Sequence, residues 1–331
     1  MSKEKILITG ANGFIGSFLV KEALEKDLEV YAGVRKNSNT GSLKELDTKI
    51  VELNYESIDQ MAEVLKTYQF EYIIHNAGLT KTPNAQEYIK VNKDYLINVI
   101  DAIRKSGIHL KKFLYVSSLA ATGPADFQKN GMLTQEATYN PVTNYGISKH
   151  QAEAYLTEQK DIPYLIIRPT AVYGPGEKDL LNVFQMINKR IDLQAGLLPQ
   201  KLTFIYVKDL AKLMITATLS KYSHKAYFAT DGKIYTGTAF SGFIKESINK
   251  STLHIKLPIS VIKLVAFVSE KVSGLWGSYP PLNVDKFHEI KARNWSCDVR
   301  DLESELGFKS AYDLSTGIPE TVQWYKEQKW L

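Results

Sequence analysis

Through the first half of the chain, short runs rich in β-branched and aliphatic residues alternate with longer stretches whose apolar residues recur every three or four positions. Strands are predicted at 5–9, 30–34, 49–53, 72–75, 113–117 and 164–168, and helices at 14–25, 58–67, 88–106 and 144–159. The strand runs are apolar at nearly every position, the pattern of strands covered on both faces. With helices between them they imply an α/β fold, a Rossmann-type doubly wound parallel sheet whose crossovers are right-handed.

Beyond Arg168 the pattern loosens, and Pro169, Pro175, Pro199, Pro258, Pro280 and Pro281 punctuate shorter elements. A smaller lobe is expected there, interleaved with the first. Residues 1–175 are assigned to a dinucleotide-binding domain to which 203–230 return, with a strand and helix at 203–219 and a strand at 226–229. Residues 176–202 and 231–331 are assigned mainly to a substrate-binding lobe. The most apolar late stretch, 257–275, is interrupted by Lys263, Glu270 and Lys271, which marks an amphipathic helix rather than a membrane span. Its Ile259, Ile262, Val265, Ala266 and Val268, followed by Leu275 and Trp276, form a wide apolar arc. Such an arc serves as ordinary core, as the wall of a hydrophobic pocket, or as a contact with a membrane surface.

Composition narrows the classes. With 331 residues, 44% hydrophobic and 23% charged, the chain has ample material for a core, and disorder is excluded. The net charge of +5 comes from 41 basic and 36 acidic residues without a long basic run, so no nucleic-acid surface is expected. Cys297 is the only cysteine, which rules out an internal disulfide and a multi-cysteine metal site and marks it as small filler. A reducing compartment fits that usage. The apolar run after Met1-Ser2-Lys3-Glu4-Lys5 is too short for a signal peptide, and a cytoplasmic location is expected.

Three motifs carry chemistry. Gly10, Gly13 and Gly16 follow the first strand and open the first helix with Phe14 and Ile15 between them, spaced Gly-x-x-Gly-x-x-Gly. Glycines there allow a tight turn, a close approach of backbone N–H groups to a pyrophosphate, and tight helix packing, while the helix N-terminus favours an anion. A merely tight turn is the plain alternative. The second strand ends in Val34-Arg35-Lys36, where a carboxylate would bind the adenosine ribose hydroxyls of NAD. Two cations suit instead the 2′-phosphate of NADP, so NADP(H) is preferred and NAD(H) is not excluded; a solvated basic turn is the alternative.

The third motif is Tyr145-Gly146-Ile147-Ser148-Lys149, with a phenol and an ammonium four residues apart on one helix face. Half-ionising a tyrosine near pH 7 requires a shift of about 3 units, roughly 4 kcal/mol. A lysine charge about 4 Å away at an effective dielectric of about 20 supplies roughly that much. The same pair also occurs by chance on helix surfaces.

Together with His75-Asn76-Ala77-Gly78, Val91-Asn92, Tyr115-Val116-Ser117-Ser118, the stretch from Arg168 through Gly176, and Ile205-Tyr206-Val207-Lys208-Asp209, these motifs resemble the extended short-chain dehydrogenase/reductase family, also called the NAD-dependent epimerase/dehydratase family. The resemblance covers nearly the whole chain. It implies that Tyr145 exchanges a proton with the substrate oxygen as hydride moves to or from nicotinamide, and that Ser118 hydrogen-bonds the same oxygen, with Ser117 one position away as the alternative. Lys149 would hold the nicotinamide ribose and keep the tyrosine acidic. Ala77 and Gly78 would border the cofactor, Pro169 and Val172 would line its nicotinamide side, and Asn92 is included as a cofactor-site residue or a structural one. A homodimer built from paired helices of the first domain is a family expectation.

Two departures bear on the substrate. Sugar-nucleotide members usually carry Arg-Asp-Phe before the Val-x-Asp segment, where this chain reads Lys201-Leu202-Thr203-Phe204. Many sugar epimerases have Arg-Tyr-Phe-Asn where this chain has Arg168-Pro169-Thr170-Ala171. Lys201, Arg190 and Arg293 are the candidates to replace the missing cation. Val34-Arg35, the stretch 168–176 and the helix at 258–272 look like the dihydroflavonol reductase and 3β-hydroxysteroid dehydrogenase branches. The leading expectation is an NADP(H)-dependent oxidoreductase of a hydrophobic secondary alcohol or ketone. Its rivals are a nucleotide-sugar epimerase, reductase or dehydratase, the last disfavoured by Ser118-Leu119-Ala120, and a non-catalytic NADP-binding sensor, disfavoured because Tyr145 and Lys149 are both present.

Overall fold

The computed structural model describes residues 3–128, 131–275, 280 and 282–331. Its elements run β1 (Lys5–Thr9), α1 (Phe14–Glu25), β2 (Glu29–Val34), β3 (Lys49–Glu52), α2 (Ile58–Tyr68), β4 (Tyr72–His75), α3 (Ala85–Ile89), α4 (Tyr95–Ser106), β5 (Lys112–Val116), α5 (Asn144–Thr157), β6 (Tyr164–Pro169), β7 (Ala171–Tyr173), α6 (Leu181–Asn188), β8 (Ile191–Ala195), β9 (Phe204–Tyr206), α7 (Val207–Leu219), β10 (Lys225–Ala229), α8 (Gly237–Ile248), β11 (Leu253–Leu257), α9 (Ile259–Leu275), α10 (Val284–Lys291), α11 (Arg300–Leu306) and α12 (Leu314–Glu327). Seven strands form one parallel sheet in the order β10-β6-β5-β4-β1-β2-β3.

Both faces of this sheet are covered, which explains the unbroken apolar runs. Along β1, Ile6 and Ile8 enter the core shared with α1 and α7, while Leu7 between them enters the core shared with α2, α4 and α5. Strand order reverses between β1 and β4, so the loops after these two strands diverge and leave a crevice at their carboxyl ends. Ligands of such folds bind at that edge, and the glycine loop, His75 to Leu79, and Ser117 with Ser118 all emerge there.

Of the two predicted returns to the first domain, β10 joins the sheet edge beside β6 and α7 packs on its face, but β9 pairs with β7 in a separate two-stranded ribbon. The break follows Pro169 at the end of β6, where the chain leaves the sheet before β7. The sequence pattern gave no sign of a third return, in which Leu302 of α11 and Phe308 join the same core. The smaller lobe centres on Tyr173, Phe184, Phe204, Phe240 and Tyr325, with β8 and β11 forming their own parallel pair. Cys297 is buried beside Leu119, Leu133 and Phe228, as filler.

Helix α9 divides its apolar arc between core and surface. Ile262 and Ala266 are buried against Phe287, whereas Val265 and Val268 face solvent. The side chains of Leu275 and Trp276 lie outside the described residues, as does Pro281.

Candidate active site

Tyr145 lies in the first turn of α5, and two acceptors satisfy the N–H groups there. Thr143 Oγ1 accepts from the Gly146 N–H (3.0 Å), and Asp285 Oδ1, from α10 of the smaller lobe, accepts from the Asn144 N–H (2.8 Å). A Cβ on Gly146 would stand 2.4 Å from the Ala120 carbonyl oxygen. Glycine therefore lets α5 close onto the loop after β5, and this approach brings the Ser118 hydroxyl near enough to the Tyr145 phenol to act on its ionisation. Ser118 also accepts from the Ala120 N–H (3.1 Å), which fixes it at the start of a short 3₁₀ turn. Ser117 points the other way and donates to the buried carboxylate of Glu153.

The electrostatics differ from the expected pair. Burial pushes the Tyr145 phenol up to about 12; the Ser118 hydroxyl opposes the rise, and the Glu289 and Asp179 carboxylates add to it. Lys149 is not among the groups that set the phenol's pKa. Its ammonium donates to the Val116 carbonyl (2.8 Å) and lies over the Tyr115 ring, 4.8 Å from the centroid. Burial lowers it to about 8, against the pull of Glu153 one turn further along α5. The simple Coulomb argument omitted desolvation, which disfavours the charged form of both groups. Tyr145 is thus a protonated donor in the neutral range.

On the cofactor side, the glycine loop has the geometry a dinucleotide requires. Gly10 has φ +63°, and a Cβ on Gly16 would fall 2.1 Å from the Gly10 carbonyl oxygen. No side chain caps the N-terminus of α1 at Gly13, so its first N–H groups face the crevice ready for a phosphate. Phe14 and Ile15 occupy that first turn. Ala77 N–H donates to Thr9 Oγ1 (3.0 Å), which also pairs with His75 Nδ1 (3.0 Å), tying the loops after β1 and β4 together. A Cβ on Gly78 would lie 3.3 Å from Lys149 Nζ, so the lysine opens directly onto the cofactor crevice. Arg35 and Lys36 are exposed at the end of β2, Pro169 is buried at the end of β6, and Val172 is half-buried on β7. These residues fit NAD(P): uncapped helix amides for the pyrophosphate, Lys149 for ribose hydroxyls, and no acidic side chain from Arg35 to Ser38.

Asn92 lies in a π-helical turn, Lys90–Asp94, between α3 and α4. Its amide oxygen accepts from Leu79 N–H (2.8 Å), and its amide nitrogen donates to Leu79 O (3.0 Å) and Ser148 Oγ (2.9 Å). It thereby clamps the Gly78–Leu79 loop to α5. The widened turn lets the side chain reach both.

Two of the three candidate cations, Lys201 and Arg293, meet at one ring, and Arg190 lies apart from them. Arg190 reaches Ser251 on the lobe's outer side, while Arg293 stacks on Phe127 at 3.6 Å and Lys201 lies 6.0 Å from the same ring. Nearer Tyr145, Lys81 pairs with Asp179 (2.5 Å) and Lys286 with Glu289 (2.7 Å). Sequence reasoning missed Glu153, although its i,i+4 spacing from Lys149 was readable. It also missed Asp285, which reaches α5 across 141 residues and left no local signal.

A parallel Rossmann sheet with an uncapped phosphate loop and a Ser-Tyr-Lys cluster at its carboxyl edge defines an enzyme built around a nicotinamide dinucleotide. Residues 6–227 match the NAD dependent epimerase/dehydratase family, and the chain belongs to it, within the extended short-chain dehydrogenases/reductases. It is 25% identical to a ceramide reductase of Caulobacter vibrioides, covering 98% of this chain and 96% of that protein. It is 26% identical to a UDP-glucose 4-epimerase of Vibrio cholerae, covering 97% and 95%. The solved UDP-glucose 4-epimerase of Thermotoga maritima superposes with a TM-score of 0.79 at 19% identity, covering 98% and 99%. The last likeness concerns the fold alone.

Proposed function

We propose that the protein is an NADPH-preferring oxidoreductase that interconverts a hydrophobic secondary alcohol and its ketone. One observation carries this reading: the cations around the approach to Tyr145 are already engaged, Lys81 by Asp179 and Lys286 by Glu289. A substrate diphosphate would compete with those carboxylates for the two lysines, and Leu202 stands at the place where sugar-nucleotide relatives carry arginine. The similarity to a ceramide reductase supports an apolar substrate; a comparable similarity to a UDP-glucose 4-epimerase keeps the nucleotide-sugar reading as its competitor.

In the reductive direction the bound nicotinamide supplies hydride. Ser118 orients the substrate carbonyl, and Tyr145 donates its phenolic proton to the oxygen as negative charge develops there. Lys149 holds the ribose hydroxyls, and Asn92 positions the Gly78 loop beside it. A panel of hydrophobic ketones and UDP-sugars tested with both cofactors decides the matter: ketone-dependent loss of NADPH absorbance is the expected result, and UDP-sugar turnover without net redox would overturn it.

Cofactor choice has its own test. Arg35→Asp removes a charge-assisted contact to a 2′-phosphate and is expected to weaken NADPH binding roughly ten- to hundredfold while NADH binding is kept or improved. Fluorescence titration with both cofactors measures this, and an unchanged ratio would reject the role of Arg35.

A further inference from the structure

Residues 174–180, which lead from β7 to α6, touch both walls of the cofactor crevice. A Cβ on Gly176 would lie 3.7 Å from the ring of Phe14, in the first turn of α1, and Asp179 Oδ1 pairs with Lys81 Nζ (2.5 Å), in the segment after β4. Gly176 and Asp179 are three residues apart, a span of about 10 Å at full extension. The segments that follow β1 and β4 are the two sides of the point where strand order reverses. A stretch this short that reaches both runs across the opening between them.

Each end of the crossing is anchored in its own lobe. On the substrate side the buried Glu177 carboxylate accepts from the Asp179 N–H and from the Leu180 N–H (2.7 Å), and the Glu177 carbonyl accepts from the Tyr325 hydroxyl (2.8 Å). On the other side Asn92 holds both backbone groups of Leu79, while the Tyr88 hydroxyl donates to Thr80 O (3.2 Å) and accepts from the Thr82 N–H (3.2 Å). The ion pair that joins the two segments is different in kind: its side chains are 47% and 53% exposed, open to water and salt. Asp179 also acts on a second cation, Lys286 of α10, so parting from Lys81 does not leave its charge unanswered. Two anchored segments joined through such a pair separate without either unfolding.

We infer that Lys81 and Asp179 form a clasp across the dinucleotide crevice, and that its opening sets how fast the cofactor enters and leaves. Neither side chain is assigned a contact with the cofactor; both act by closing the way past it. The inference rests on dinucleotide binding and not on the substrate, so failure of the ketone panel would leave it standing.

The experiment is stopped-flow fluorescence on the full chain, following association of NADPH and its release into excess NADP⁺, with NADH and NAD⁺ in parallel. Lys81→Ala and Asp179→Ala should each speed association and release about two- to fivefold, the range set by one half-exposed ion pair, with little change in Kd. The double variant Lys81→Ala/Asp179→Ala should be no faster than either single one, because both act through the same pair. Release from the parent should also respond more steeply to salt raised to about 0.5 M than release from the single variants. Both positions are exposed, and unchanged circular dichroism will show that the variants fold; the salt arm needs no variant of doubtful stability, since the parent itself must respond. Parental release rates in either single variant, or additive effects in the double one, would overturn the clasp. So would opposite effects, weaker binding by Lys81→Ala and tighter binding by Asp179→Ala, which would make Lys81 a direct ligand of a cofactor phosphate.

Discussion

Tyr145→Phe is expected to bind its cofactor as the parent does and to react at about a hundredth of the parental rate or less, since a positioned general acid contributes roughly 10²–10⁴-fold. The substitution removes only the hydroxyl. The ring keeps its packing against Tyr88 at 6.2 Å, and the caps on α5 from Thr143 and Asp285 involve backbone N–H groups that the variant retains. Because burial places the phenol at about 12, it remains a proton donor throughout the neutral range, and ionisation of the tyrosine should not limit ketone reduction there. An alkaline decline is instead expected near pH 8, where Lys149 loses the charge proposed to hold the ribose. Single-turnover measurements with saturating cofactor test the loss without interference from product release. A rate within tenfold of the parent would reassign the proton donor.

Those two pKa values also show where sequence reasoning stops. That Tyr145 and Lys149 share a helix face follows from spacing alone. Which way Lys149 turns depends on the Val116 carbonyl and the Tyr115 ring, both supplied by a strand about 33 residues earlier in the chain. The glycine loop was legible because glycine there answers a local demand, the 2.1 Å approach of the Gly10 carbonyl to a Cβ on Gly16. The choice between Ser117 and Ser118 was not, since strand alternation puts them on opposite sides without saying which side holds the tyrosine. For α9, the arc was visible but its partner was not: hydrophobic periodicity identifies a face and does not say what covers it. β9 misled for a related reason, because a short apolar run pairs with whichever edge is near, and here that edge was β7.

Breaking the ion pair beneath the site is expected to be the costliest change to stability. Arg168 Nε donates to both Glu153 oxygens (3.1 Å each) and Nη2 to Oε2 (2.7 Å). Gln135 and Tyr139 accept the remaining guanidinium bonds, and the Tyr139 and Phe228 rings lie at 5.0 and 5.4 Å. Both partners are almost fully buried, so Glu153→Gln leaves a guanidinium without its counter-charge, and Arg168→Met leaves a carboxylate without its own. Either single change should cost about 3–5 kcal/mol in urea unfolding, and the double variant less than the sum, because it removes both charges together. Glu153 has a second effect that a structural role alone would not produce. Its charge raises the pKa of Lys149, so removing it lowers that value further below the ordinary lysine range and moves the alkaline decline in activity to lower pH. The double variant should recover stability yet keep the displaced pH profile. If its profile returned to the parental position, Glu153 would act on Lys149 only through packing; if the single variants lost less than about 1 kcal/mol, the pair would be no more than a surface-grade contact.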